Sequence, residues 1–170
     1  MPRIKEIHFQ LGISQHYGQN PHIPEQPEAE SLVPVDGDIL GRPQSLEPGA
    51  AEQWIKMRDT AMSEGIGLLI VSAFRSFGYQ ASLLEAKLAK GQPIEDILLT
   101  NAAPGFSQHH TGKAIDIAVT GCPPLVEEFE ATEAFRWLGE NAADFQFVMP
   151  YGRNNAYGFI YEPWHWYMSG

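Results

Sequence analysis

One stretch of ten residues is more informative than any other part of this chain: Ser107-Gln108-His109-His110-Thr111-Gly112-Lys113-Ala114-Ile115-Asp116. From residue 113 to residue 119, branched apolar residues alternate with small or polar ones. This alternation predicts a strand over residues 113–119. Asp116 falls on the face of this strand opposite the isoleucines. Gly112 stands between His109 and Asp116, where a glycine lets the chain bend and bring both side chains inward.

The residue types in this stretch suit a metal site. A catalytic zinc site takes three ligands from His, Asp or Glu and keeps a fourth position open for water. His109, Asp116 and the His165 of a closing Glu-Pro-Trp-His-Trp motif would supply two imidazoles and one carboxylate. Pro163 interrupts a regular strand there, so Glu162 and His165 could turn toward one point, with Glu162 as the general base. Each residue alone is more often an ordinary core or surface residue, but together they favour a metal site.

Length and composition limit the class of protein. The 170 residues suit one domain, and 44% hydrophobic with 19% charged residues is an ordinary globular composition. The net charge of −10 argues against a nucleic-acid or anionic-lipid partner, because phosphate contacts need a basic face. The single cysteine, Cys122, excludes an internal disulfide and a thiolate zinc cage. The longest uncharged apolar run, Ile66 to Ala73, is too short to span a membrane.

The rest of the chain predicts a mixture of helices and strands. The spacing of apolar residues predicts four helices: residues 50–64, 76–90, 93–101 and 133–141. Besides 113–119, four strands are predicted: residues 66–73, 145–149, 157–161 and 164–168. Residues 4–11 fit either a strand or a half-turn of helix. Because the order has no regular βαβ rhythm, it predicts an α+β fold rather than a doubly wound sheet.

The N-terminal quarter differs from the rest in composition. Residues 21–49 hold six of the thirteen prolines, and proline blocks regular helix and central strand. We therefore expect residues 1–45 to form an extended arm packed on a domain that comprises residues 46–170. The first residues carry charges but no apolar segment typical of a secretory signal, which predicts a cytoplasmic protein without a membrane partner.

The pattern Ser-x-His-x-x-Gly-x-Ala-x-Asp, followed near the C-terminus by Glu-x-x-His, resembles the VanY-type zinc D-Ala carboxypeptidases. The five fixed positions of the first pattern would coincide by chance on the order of once per million starting points. The resemblance runs from about residue 46 to 168 and includes Ser72-Ala73-Phe74-Arg75-Ser76 with Tyr79-Gln80. It implies a single α+β domain of the Hedgehog/D,D-peptidase fold, with a small antiparallel sheet, flanking helices and a Zn²⁺ ion.

The resemblance also implies a role for each matched position. Three positions match the zinc ligands: His109, Asp116 and His165. Glu162 matches the catalytic base, and Arg75 matches an arginine that stabilises the oxyanion or grips the substrate. Ser107 and Gln80 match positions that contact the substrate. The Arg75 assignment also makes physical sense, because an oxyanion or carboxylate needs a fixed cationic fork and Arg75 directly follows a predicted buried strand.

Three features stand outside the matched pattern. The family often has an arginine soon after the closing Trp-His-Trp, where this chain has Tyr167-Met168. His110 is beside a matched ligand but not at a ligand position, so we expect it to line the site or point away. Arg153 belongs to a glycine- and asparagine-containing loop and is expected to be exposed, with a second anion contact as the alternative.

Together these features predict a zinc carboxypeptidase that removes a C-terminal D-alanine from small peptides or muropeptides of peptidoglycan. The family includes D,D-enzymes acting on pentapeptides and L,D-enzymes acting on tetrapeptides. A cytoplasmic enzyme meets imported muropeptides, which largely carry tetrapeptides, so an L,D-carboxypeptidase of cell-wall recycling is favoured. The alternatives are a D,D-carboxypeptidase, an L-Ala–D-Glu endopeptidase and, from a different class, a catalytically inactive zinc-binding module like the Hedgehog domains.

Overall fold

A four-stranded antiparallel sheet lies at the centre of the computed structural model, which describes residues 2–170 and the side chains from residue 4 onward. The described chain forms six strands: β1 Val33–Val35, β2 Gln44–Leu46, β3 Leu69–Ser72, β4 Ala114–Ala118, β5 Phe147–Val148 and β6 His165–Met168. It forms five α-helices: α1 Pro2–Gln10, α2 Pro48–Ser63, α3 Phe77–Leu88, α4 Ile94–Thr100 and α5 Glu133–Asn141. The central sheet has the order β3-β4-β6-β5, and β1 with β2 forms a second, two-stranded sheet. The predicted α+β class with a small antiparallel sheet and flanking helices is confirmed.

The register of the central sheet brings the two sequence motifs together. On β4, Asp116 pairs with Ser72 of β3 on one side and with His165 of β6 on the other. The pairing of β3 with β4 shifts register between Ile70 and Ser72. Such an irregularity bends a strand and re-aims the residues that follow it. Arg75, three residues beyond β3, consequently lies beside the Asp116 carboxylate.

The main apolar core lies between this sheet and helices α2 and α5. Its fully buried members include side chains from all three elements: Trp54, Met57, Ile115, Ile117 and Leu138. The predicted alternation on β4 is confirmed, since its isoleucines belong to this core and Asp116 points to the other face. All five β4 residues are nevertheless buried. The polar face of the strand is therefore an enclosed site and not a solvated surface.

The four predicted helices are present as α2 to α5, with ends within two residues of those expected. Side-chain caps fix three of their starts, because Glu47 accepts a hydrogen bond from the Ala50 N–H, Ser76 accepts one from the Tyr79 N–H and Thr132 accepts one from the Phe135 N–H. The undecided segment 4–11 falls almost entirely within α1. Within residues 2–170, every helix is too short or too polar to cross a membrane.

The predicted strand over residues 157–161 is wrong, because this segment forms turns and irregular chain. The Asn155 side chain donates to the carbonyl of Phe159 and accepts from the Tyr157 N–H. Gly158 has a φ of +77°. Local side-chain bonds of this kind satisfy backbone groups that a sheet ladder would otherwise use.

The other predicted strands are present but shorter than expected. The strand predicted over residues 66–73 is reduced to β3, whose first residue, Leu69, is 40% exposed. Likewise, residues 145–149 contain only the two-residue β5. Apolar runs therefore located these strands but overestimated their lengths, since apolar residues beside a strand also pack against the core.

Backbone hydrogen bonds tie the proline-rich segment to the rest of the molecule. The Gln26 N–H donates to the Gly105 carbonyl at 2.7 Å, and the Ala29 N–H donates to the His110 carbonyl at 2.8 Å. The same segment, residues 21–49, contains both strands of the second sheet, β1 and β2. The division into an arm of residues 1–45 and a domain of residues 46–170 stays a prediction.

Candidate metal centre and substrate cleft

Three buried side chains with metal-ligating atoms meet at one edge of β4: His109, Asp116 and His165. One ligand atom from each lies within 4.8 Å of the other two. His109 is on a short 3₁₀ turn, Gln108–Thr111, whose start is capped by the Ser107 hydroxyl. Asp116 and His165 are neighbours across the β4–β6 pairing. The structure thus brings together the three residues that the sequence predicted as ligands.

The hydrogen bonds of His109 fix which of its ring nitrogens carries a proton. Nδ1 lies 2.7 Å from the Ala73 carbonyl oxygen, which can only accept, so Nδ1 is the donor. Burial, followed by the charge of Arg75, lowers the pKa of His109 to about 4, so the ring is neutral at neutral pH. Nε2 therefore presents a lone pair. It is fully buried, has no hydrogen-bond partner in the described chain, and lies 3.3 Å from Asp116 Oδ2.

The second histidine has the same arrangement with its nitrogens exchanged. His165 Nε2 lies 2.9 Å from Gln108 Oε1, to which it donates. That leaves the Nδ1 lone pair facing Asp116 Oδ1 at 3.0 Å. The Tyr151 ring stacks on this imidazole, with 4.5 Å between centroids and 20° between planes, and holds its orientation. Gln108 and Tyr151 were not predicted as site residues; only the position of Gln108 beside His109 offered a signal.

These contacts leave acceptors facing one another with no proton between them. Ligands about 2.0–2.1 Å from a tetrahedral metal lie about 3.4 Å apart, close to the 3.3 Å between His109 Nε2 and Asp116 Oδ2. The donor set therefore fits a divalent cation such as zinc.

Gly112 allows the turn that carries His109 into this site. It has a φ of +68°, and a Cβ placed on it would lie 2.8 Å from the backbone nitrogen of Glu47. The bend predicted at Gly112 is therefore present. The close approach of the Glu47 backbone is a second reason why this position requires glycine.

We expect Gly112→Ala to lower the free energy of unfolding by about 2 to 4 kcal/mol, because it adds both a left-handed strain and a backbone clash. Urea denaturation of the metal-free protein measures this. Gly91→Ala is the matched control, since Gly91 also has a positive φ, +81°, but has open space around it. Equal losses in the two variants would show that the contact with Glu47 contributes nothing.

Two charged side chains flank the three ligands. Glu162 is buried, and its burial, followed by the charge of Asp116, raises its pKa to about 8. A turn at Pro163 connects it to His165, whose N–H donates to the Glu162 carbonyl. The Arg75 guanidinium reaches within 3.8 Å of Asp116, and its Nε has no partner among the described groups. A carboxylate and a guanidinium thus face the space beside the candidate metal.

The adjacent residues His109 and His110 also fix the position of Arg75. The His110 ring points away from the ligands, because its Nδ1 donates to the Arg75 carbonyl at 2.6 Å and its Nε2 accepts from the Gly105 N–H. The backbone N–H of Arg75 also donates to the His109 carbonyl at 3.1 Å. The segment that supplies a ligand therefore also positions the cation.

A small cleft opens beside the ligands and includes both predicted substrate positions, Ser107 and Gln80. The Gln80 amide donates to the Ala102 carbonyl at 2.7 Å, while its buried Oε1 has no donor among the described groups. Asn101 and Phe159 also line this cleft and were not predicted. Arg153 lies elsewhere, paired with Glu127 and Glu130, and does not line the cleft, as expected.

The comparisons with known proteins agree with this geometry. A family model described as VanY, D-alanyl-D-alanine carboxypeptidase, matches residues 43–170. YodJ of Bacillus subtilis, which bears the name of a carboxypeptidase, is 33% identical over 120 residues, covering 68% of this chain and 43% of that protein. The D-alanyl-D-alanine carboxypeptidase of Enterococcus faecalis is 28% identical over 122 residues, covering 66% of this chain and 44% of that protein. The chain therefore spans less than half the length of these two relatives.

Solved structures show the same fold. The LdcB LD-carboxypeptidase superimposes with a TM-score of 0.75 at 29% identity, covering 86% of this chain and 72% of that chain. DacB from Streptococcus pneumoniae, an L,D-carboxypeptidase, has a TM-score of 0.60 at 28% identity, covering 74% of this chain and 67% of that chain. VanYB in complex with D-alanine-D-alanine has a TM-score of 0.67 at 23% identity, covering 86% of this chain and 82% of that chain, and supports the fold alone.

Proposed function

The chain belongs to the VanY family, whose members are described as D-alanyl-D-alanine carboxypeptidases, and from this we propose that it is a zinc carboxypeptidase that removes a C-terminal D-alanine from peptidoglycan peptides. The observation that carries the proposal is that unprotonated nitrogens of His109 and His165 face one buried carboxylate, Asp116. A second carboxyl group, Glu162, lies beside them and has a raised pKa. A purely structural site would need no base next to its metal. The pairing of ligands with a base favours catalysis over an inactive zinc-binding module.

His109, Asp116 and His165 would hold the metal through His109 Nε2, an Asp116 carboxylate oxygen and His165 Nδ1. Two imidazoles, one carboxylate and an open fourth position are the usual ligands of a catalytic zinc ion. Bound zinc supplies Lewis acidity, which polarises the scissile carbonyl and makes water a stronger nucleophile at neutral pH. The Ala73 carbonyl and Gln108 fix both imidazole tautomers, which keeps the ligand nitrogens free of protons.

Glu162 acts as general base and then as general acid. Its carboxylate accepts a proton from the attacking water and passes it to the nitrogen of the departing D-alanine, so that the peptide bond breaks without releasing an unstable amide anion. The raised pKa of this carboxyl suits both directions of transfer near neutral pH. Enclosure by Tyr151, which stacks on His165 and lines the same cleft, limits competing contact with bulk water.

Arg75, Gln80 and Ser107 bind and orient the substrate. The Arg75 guanidinium stabilises the oxyanion that develops on the scissile carbonyl, since it lines the cleft and reaches within 3.8 Å of the ligand Asp116. Gln80 lines the cleft, with its amide held in place by the Ala102 carbonyl at 2.7 Å. Ser107 contributes from the start of the His109 turn.

The L,D reaction on tetrapeptides is our preferred assignment. It is supported by the likeness to the LdcB and DacB L,D-carboxypeptidases, both above one-quarter identity. The D,D reaction on pentapeptides is the second candidate, favoured by the family description and by the Enterococcus faecalis relative. We also propose a cytoplasmic role in muropeptide recycling, which fractionation of the source cells with an antibody to the chain would test.

We expect the purified enzyme to release one alanine from disaccharide-tetrapeptide, measured by mass spectrometry, and to lose this activity in excess chelator. Zinc added back should restore it, because the ligand set is buried and preformed. Disaccharide-pentapeptide serves as the parallel substrate. Release from the pentapeptide alone would assign the D,D reaction, and cleavage between L-Ala and D-Glu would assign the endopeptidase. No release from either substrate would contradict the carboxypeptidase assignment.

A further inference from the structure

A second, larger groove continues from the metal centre along α3 and the end of β3. It shares Arg75, Asn101 and Asp116 with the site and is lined further out by Arg42 and Lys87. Three cationic side chains in one groove are unexpected in a chain with a net charge of −10. The groove is therefore locally suited to an anionic ligand, although the molecule as a whole repels anions.

The three cations differ in whether a carboxylate of the protein already pairs with them. Arg42 Nε donates to Asp38 Oδ2 at 2.6 Å, so its charge is satisfied. Arg75 lies 3.8 Å from Asp116. Lys87 lies within ion-pairing distance of no carboxylate among the described residues.

The position of Lys87 is also electrostatically costly for an ammonium group. The residue is half-buried near the end of α3. Burial and then the like charge of Arg75 lower its pKa, and the attraction of Glu162 only partly offsets them. An unpaired, partly desolvated cation gains more from a bound anion than an exposed lysine does.

We infer that Lys87 binds a carboxylate of the peptide substrate where the groove leaves the metal centre. The inference rests on the proposed function, since a peptide ending in D-alanine brings a terminal carboxylate and, further upstream, acidic side chains.

The test is peptide binding to the zinc-loaded Glu162→Ala protein, which holds the substrate without cutting it. Calorimetry should show that adding Lys87→Met raises the Kd for disaccharide-tetrapeptide by about 10- to 100-fold, the range for one charge-assisted hydrogen bond. Lys87→Arg should bind within about threefold of the parent, because it keeps the charge. Lys90→Met is the matched control, as Lys90 is an exposed lysine just beyond α3, and the Kd of this variant should not change.

Two modified peptides identify which carboxylate is bound. One carries a C-terminal amide, and the other carries amides on its upstream acidic side chains. The Glu162→Ala parent should bind one of these modified peptides about 10- to 100-fold more weakly than the unmodified peptide. The protein that also carries Lys87→Met should bind that modified peptide and the unmodified peptide with equal affinity. With Glu162 intact, Lys87→Met should raise KM and change kcat little.

The inference is overturned if Lys87→Met binds the unmodified peptide as tightly as its parent, or if it still binds the amidated peptide that the parent discriminates against more weakly by the same factor as the parent does. These outcomes leave the carboxypeptidase assignment intact when the protein without substitutions releases alanine. If the unsubstituted protein neither binds nor cleaves the peptides, both proposals are overturned.

Discussion

Glu162→Ala is expected to lower kcat by about 10³-fold, within the range attributed to a positioned general acid–base group. The reason is that Glu162 is the cleft carboxylate whose raised pKa lets it exchange a proton near neutral pH, whereas the Asp116 carboxylate lies between the two imidazoles. Zinc content should stay at one ion per chain, because the three ligand side chains are untouched. Alanine release by mass spectrometry and metal analysis of the same sample give both values.

The matched control is Glu140→Ala, which removes an exposed carboxylate near the end of α5. It should retain full activity. If Glu162→Ala kept more than about one-tenth of the activity, another group would have to be the base. If it lost its zinc together with its activity, Glu162 would be a ligand or a structural support and not a base.

Asp116→Asn is expected to have the largest effect on the metal. The substitution keeps the size and shape of the side chain but removes the charge on which both imidazole lone pairs converge. Dialysed protein should contain less than about 0.1 zinc ion per chain, and activity should fall by at least about 10³-fold, since metal affinity and activity depend on the same ligand. Plasma emission spectroscopy and the alanine assay measure the two effects.

Asp144→Asn provides the comparison, because Asp144 is exposed on a 3₁₀ turn far from the ligands in sequence and packing. It should bind zinc and turn over substrate like the unmodified protein. Full zinc occupancy in Asp116→Asn would contradict the assignment of this side chain as a ligand.

Much of the site could be predicted from sequence because its residues are encoded locally. His109, Gly112 and Asp116 occupy one short turn and strand, so that spacing alone limits their geometry. Glu162 and His165 are likewise separated by a single turn. The step that sequence cannot supply is the pairing of β4 with β6, which places Asp116 beside His165.

The residues that sequence reasoning missed act through tertiary contacts. Tyr151 belongs to irregular chain, and its role depends on stacking against a ring 14 positions later. Lys87 looks like any lysine in the last turn of an amphipathic helix, and only the fold reveals its half-buried position beside Arg75. The wrong strand at residues 157–161 has a similar cause, because the Asn155 hydrogen bonds that prevent it leave no periodic signal.

Anomalous diffraction at the zinc edge, from a crystal of the zinc-loaded protein, locates the metal relative to the three ligand side chains. We expect a single strong peak per chain, bounded by His109 Nε2, the Asp116 carboxylate and His165 Nδ1, with Glu162 facing its open side. A peak held by other side chains, or a fully loaded protein with no peak between these three, would contradict the assignment of these residues as the zinc ligands.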